Sequence, residues 1–175
     1  MAIWLSTAGV TLNYAVEATA GTRPTEGYTK VPGIKSIPEL NPEPESLETT
    51  TLEETEYKTY IPGLKDLGGS LSFTANLSDL TMDAWDAAVT AYETASASGK
   101  GMWFCIIIPG MDDALYFTGQ PSPMGLPGIE VSATLETTVY ITPTGAPIWE
   151  AKPTVASPTK AALNSNKPAT DDVSV

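Results

Sequence analysis

The sequence predicts a mainly β domain of sandwich or barrel-like type, with one flanking α-helix and one long mobile loop. Three observations predict it. An apolar–Pro–Gly–apolar step recurs four times, at Val31–Ile34, Ile61–Leu64, Ile108–Met111 and Leu126–Ile129. Proline presets φ at the second position of a turn and glycine supplies positive φ at the third, so each copy reads as a type II turn between elements that run back into a core. The segments between these steps alternate apolar and polar residues, and one stretch alone has helical spacing. The copies are unevenly spaced, which makes them punctuation rather than a tandem repeat.

In chain order, Thr11–Val16 alternates as a short strand and runs into the loop Ala20–Pro24. Tyr28–Ile37 reads as a strand with a turn at its centre. From Glu39 the character changes: Glu39, Glu43, Glu45, Glu48, Glu53, Glu54 and Glu56 follow with no basic residue among them, and only Leu40, Leu47 and Leu52 are apolar. Pro42 and Pro44 argue against regular pairing. Such a segment buries too little surface to offset its ordering entropy, so residues 39–58 are expected to form a mobile acidic loop. A loop that long in a compact domain is usually functional or disordered.

Structure resumes at Tyr57–Tyr60, and Gly68-Gly69 lead into the clearest strand, with Leu71, Phe73, Ala75 and Leu77 on one face and Ser70, Ser72, Thr74 and Asn76 on the other. A helix is predicted over residues 80–98. Met82, Trp85, Val89 and Tyr92 form its apolar stripe. Thr81 or Asp79 is its N-cap, Asp83 and Asp86 suit the positive end of its dipole, and Gly99 is its stop. Met102–Ile108 is apolar on both faces, as a central strand is. Asp112-Asp113 turn the chain into Leu115–Phe117, and Gln120–Gly128 is a Pro/Gly-rich connection. The longest predicted strand follows: Ile129, Val131, Ala133, Leu135, Thr137, Val139 and Ile141 point inward, leaving an outer face of Glu130, Ser132, Thr134, Glu136, Thr138 and Tyr140 that carries no cation. Residues 1–145 make the β domain, and residues 146–175, rich in Ala, Pro, Thr, Ser and Lys, are a flexible or extended C-terminal extension.

Composition sets limits on function. A length of 175 residues suits one domain with extensions, and 42% hydrophobic residues suffice for a core. No apolar run approaches the ~18 residues of a membrane span, and the N-terminus lacks a basic region and a signal-type core, so synthesis and retention in a cytoplasm are expected. The single Cys105 sits among Trp103, Phe104 and Ile106, the setting of a buried small hydrophobe. Histidine is absent, which removes the commonest general base and zinc ligand. A net charge of −12 with only 9 Lys and Arg disfavours a grip on phosphate backbones. Asp112/Asp113 or Glu43/Glu45 are the residue types of a glycosidase pair, yet Asp-Asp between strands is turn chemistry and Glu-Pro-Glu in a loop is a solvated pair. The glutamates lack the spacing that would gather oxygens around calcium. Trp85 and Trp103 sit in periodic apolar settings, as core residues do, leaving Trp4 and Trp149 outside such patterns. No phosphate-binding glycine loop is present. No catalytic, cofactor or metal site is assigned, and the chain is expected not to be an enzyme.

The order Ile34-x-x-Ile37-Pro38-Glu39-Leu40, then Glu48-Thr49-Thr50-Thr51-Leu52-Glu53, then Tyr60-Ile61-Pro62-Gly63-Leu64-Lys65-Asp66-x-Gly68 resembles the major tail tube proteins of long-tailed bacteriophages. The resemblance continues through Leu71-x-Phe73-x-x-Asn76, Gly101-x-Trp103-Phe104, Phe117-x-Gly119 and Ile141-Thr142-Pro143-Thr144-Gly145, and covers Thr11 to Gly145. It implies a tail tube β-sandwich with a flanking helix, six copies closing into a ring, and rings stacking into a hollow tube that delivers genomic DNA to the host cell. It implies no catalytic residues and no cofactor. The implied partners are other copies of the chain, with tape-measure, tail terminator and baseplate or distal tail proteins. The implied location is the virion tail, after assembly in the host cytoplasm. Within that frame Glu43, Glu45, Leu47, Glu48, Leu52, Glu53 and Glu54 are candidates for contacts between stacked rings. Glu130, Ser132, Thr134, Glu136 and Thr138 are candidates for the lumen face, where acidic and hydroxyl groups would repel DNA rather than bind it. The alternative, from another class, is a β-sandwich adhesion module with acidic calcium-dependent loops.

Overall fold

A computed structural model describes residues 5–156; Trp4 and residues 157–175 of the extension lie outside the described residues. Eleven strands and one helix are described. In chain order they are β1 (Thr11–Val16), β2 (Tyr28–Val31), β3 (Ile34–Ser36), β4 (Glu43–Glu48), β5 (Tyr60–Asp66), β6 (Leu71–Asn76), α1 (Asp79–Ser96), β7 (Met102–Ile107), β8 (Asp113–Pro121), β9 (Glu136–Pro143), β10 (Ile148–Ala151) and β11 (Val155–Ala156). Nine strands form one sheet in the order β11-β2-β1-β7-β8-β9-β6-β3, with β10 joined to β8 off that path. The sheet curls into a half-barrel, so the mainly β expectation with one helix holds. β4 and β5 pair only with each other.

The alternation of each strand decides which face it buries. Leu12 and Tyr14 of β1 join Phe73, Phe104, Ile106, Phe117, Val139 and Ile141 against Trp85 and Val89 of α1. Phe104 and Phe117 stack there, with ring centroids 5.5 Å apart. Intervening residues face the other way. Ala15, Tyr28, Cys105, Ala114 and Tyr116 form a second core, with Ile148 of β10 and Val155 of β11 packed against it. β10 and β11 thus help cover a face that β1, β7 and β8 would leave bare. Burial of Cys105 pushes its thiol up to about 12, so it stays protonated and unreactive at neutral pH.

Two of the four Pro-Gly steps are turns as expected, with Gly33 at φ 76° and Gly110 at φ 84°. The first is no hairpin: it sends β2 to β1 and β3 to β6. A Cβ at Gly33 would also meet Thr81 Oγ1 at 2.7 Å. The other two steps depart from expectation. Pro62 and Gly63 lie inside β5, and Gly128 lies in an irregular segment without positive φ. The helix begins one residue early, capped by Ser78 through a hydrogen bond from the Thr81 N–H rather than by Thr81 or Asp79. Its buried stripe is Thr81, Ala84, Trp85, Ala88, Val89 and Ala95, with Met82 half exposed, because small residues let the helix lie close on the sheet. Gly99, at φ 72°, follows the cap at Ala97.

Candidate assembly surface

The acidic loop of the sequence reading is a β-hairpin arm. β4 pairs antiparallel with β5, matching Leu47 to Ile61 and Glu48 to Tyr60. Pro44 and Pro62 are admitted because both strands of a two-stranded ribbon are edges, where a missing N–H can face water. The register shifts between Pro44 and Ser46, so a bulge absorbs the irregularity. Every residue of β4 is exposed, and β5 is nearly so. The ladder and the tip hold the arm together instead. Thr49 N–H donates to the Thr59 carbonyl at 2.8 Å, the Thr59 hydroxyl donates to Glu54, and Lys58 pairs with Glu48 at 3.1 Å. Gly68 and Gly69, at φ 85° and 77°, return the chain to β6.

The arm places the predicted inter-ring residues on one ribbon but uses them unequally. Glu48 and Glu54 are committed to holding the tip, while Leu52 stands fully exposed on it. Direct opposition puts Leu47 and Ile61 on one face of the ribbon and Tyr60 on the other. All three are about half exposed, at 45%, 51% and 54%. Exposed apolar groups on both faces of a ribbon are the kind of surface that marks interaction sites. Sequence reasoning missed β5 as the arm's second half, because Pro-Gly reads as a turn and exposed strands leave no burial alternation.

The predicted long strand is shorter than expected. β9 begins at Glu136, and residues 129–135 are irregular, with Ile129, Val131 and Leu135 exposed. β6 explains the boundary: its ladder with β9 ends at Asn76↔Glu136, so the preceding residues have no strand beside them. Of the candidate lumen residues, only Glu136 and Thr138 share a strand face, while Glu130, Ser132 and Thr134 lie on the irregular segment. The outer face also has a cation, since Lys35 of β3 pairs with Glu136.

Two polar clusters tie down the body. Burial alone would push Glu17 up, but its carboxylate accepts from the N–H groups of Gly101 and Gly21 and from Trp103 Nε1, each at 2.9 Å, and these bonds hold it below the usual carboxylate range. Arg23, the only arginine of the chain, pairs with Glu150 and lies 4.3 Å from the Tyr116 ring centroid. The Tyr116 hydroxyl donates to the Ala151 carbonyl at 2.6 Å. β10 is thus pinned by charge, ring and hydrogen bond. A lone arginine beside Pro24 was the signal available in the sequence. Among the described residues no group of three His, Cys, Asp or Glu converges as metal ligands would, and Asp112/Asp113 form the turn into β8.

A chain of the anti-feeding prophage baseplate, a six-fold symmetrised assembly, matches with a TM-score of 0.57 at 10% identity over 86% of this chain and 98% of that one. The fold is one that tail-related assemblies use. A chain from the tail of an empty GTA particle, refined helically with six-fold symmetry, matches at TM-score 0.50 and 14% identity over 81% and 96% of the two chains. Identities this low make the likeness one of fold. No protein-family model and no curated protein matches the sequence.

Proposed function

We propose that this chain is a structural, non-enzymatic subunit of a bacteriophage tail that polymerises as stacked hexameric rings into a hollow tube through which genomic DNA passes to the host cell. The observation that carries this reading is the β4–β5 arm, folded yet outside the core, with Leu47 and Ile61 on one face and Tyr60 on the other. Its setting on a fold shared with six-fold tail-related assemblies supports the same reading. A head-to-tail contact that closes makes a ring, and a second, axial one that does not close makes a filament. The arm supplies the axial contact, and Glu136 and Thr138 line the lumen. A net charge of −12 suits a wall that DNA slides past without binding. Tape-measure, terminator and baseplate proteins are the further partners, and the virion tail is the location.

Negative-stain microscopy of the purified protein across a concentration series tests the reading. Hollow tubes of uniform width are the expected result. A particle that stays monomeric at the highest concentration overturns it.

A further inference from the structure

Residues 129–135 have the composition of a strand and the surroundings of a loop. Ile129, Val131, Ala133 and Leu135 alternate with Glu130, Ser132 and Thr134, the segment leads into β9 through a turn at Val131 and Ser132 with Ser132 at φ 63°, and its apolar members are exposed, Val131 at 96%. Among the described residues no strand lies beside it: β6 stops at Asn76, with a single further bond from the Leu77 N–H to the Leu135 carbonyl at 2.9 Å, and β8 pairs with β9 only at residues 119–121. An unpaired edge of equal length exists elsewhere. β5 spans seven residues, pairs with β4 on one side only, and exposes Leu64 at 86%.

We propose that residues 129–135 of one copy form an antiparallel strand on the free edge of β5 of a second copy. The register is set by charge and apolar contact together. Placing Glu130 opposite Lys65, which has no ion-pair partner within the described residues, also puts Val131 opposite Leu64 and Leu135 opposite Tyr60. Opposite charges and apolar pairs directly across a ladder each favour that register. Ala133 then faces Pro62, which brings no N–H, so the ladder misses one rung there. Strand addition supplies the backbone bonds, and the alternate side chains supply the selectivity. The occupant is another copy of this chain, an assignment that rests on the tail-subunit reading and specifies which surfaces of two copies meet.

Two single-cysteine additions test it, Val131→Cys and Leu64→Cys, both at exposed positions, with Cys105 buried and silent. Mixed and mildly oxidised under assembly conditions, the two proteins are expected to give a reducible dimer that neither gives alone. Tubes without that dimer overturn the strand pairing and leave the tail reading standing; neither tubes nor dimer overturns both. Charge reversal gives an independent readout. Glu130→Lys is expected to raise the concentration needed for assembly several-fold, and adding Lys65→Glu to restore it. A double variant no better than the single one also overturns the pairing.

Discussion

The body and the arm are made of the same kind of β-strand and are held by opposite means. In the body, β1, β7 and β8 bury both faces, and Trp85, Phe73, Phe104 and Phe117 are wholly shielded from water. In the arm, β4 and β5 bury almost nothing, and a ladder with a knotted tip keeps the ribbon in shape. Burying a large apolar side chain contributes about 1.5–3 kcal/mol, a contribution made at many positions in the body and at almost none in the arm. The residues that hold the body together are therefore separate from those that the proposed assembly would use. A mutation should damage stability or assembly and spare the other.

The sharpest way to break that division is Trp85→Ala. It empties the centre of the helix–sheet contact and orphans the Ser122 carbonyl that Trp85 Nε1 donates to at 2.8 Å. A loss of about 3–5 kcal/mol is expected in urea unfolding. A loss under 1 kcal/mol would mean that burial in the body contributes less than described. Next in size is Arg23→Ala, which removes the pair with Glu150 and the cation over Tyr116. It should cost about 1 kcal/mol and expose the β10 backbone to hydrogen exchange before the rest of the sheet.

Glu17 gives the comparison a pH axis. Its carboxyl is held below its unfolded value of about 4.3 by three hydrogen bonds, so its contribution is present above that value and is lost as pH falls through the lower folded one. Glu17→Gln should flatten the acid limb of the body's stability curve and leave stability near pH 7 little dependent on pH. An unchanged acid slope would remove Glu17 from the account. Smallest in stability is the arm variant Leu47→Ser with Ile61→Ser, expected within about 0.5 kcal/mol of the parent. Its signature is the loss of tubes at concentrations where the parent forms them. Tubes of normal length from this variant would detach the arm from assembly.

The sequence yielded most where burial writes a period into it. β6 alternates as read, Met102–Ile107 is apolar on both faces because it lies at the centre of the sheet, and the helix lies within two residues of its expected ends. Where burial is absent the period misleads or disappears. Residues 129–135 alternate as cleanly as β6 yet have no neighbouring strand, so their pattern was read as a core strand. β4 and β5 have a neighbour but no core, so their pairing left no pattern beyond glutamates and prolines. β10 and β11 were hidden among Ala, Pro and Thr, with Ile148 and Val155 the only apolar anchors on the second core. The acidic candidates for contacts between rings fall on the β4–β5 ribbon and its tip, and Tyr60, Ile61 and Leu64, the apolar residues of its other strand, were not among them.

An exposed ribbon with sticky faces is ordinarily a template for cross-β fibres, which recruit copies without limit. Pro44 and Pro62, one on each strand, with a kink between Pro44 and Ser46, spoil the flat unbroken row of donors that such stacking needs. One matched strand can tolerate a gap in that row; an endless pile of identical ribbons accumulates the fault at every layer. The prolines that disguised the arm in the sequence thus also act as its safeguard against amyloid.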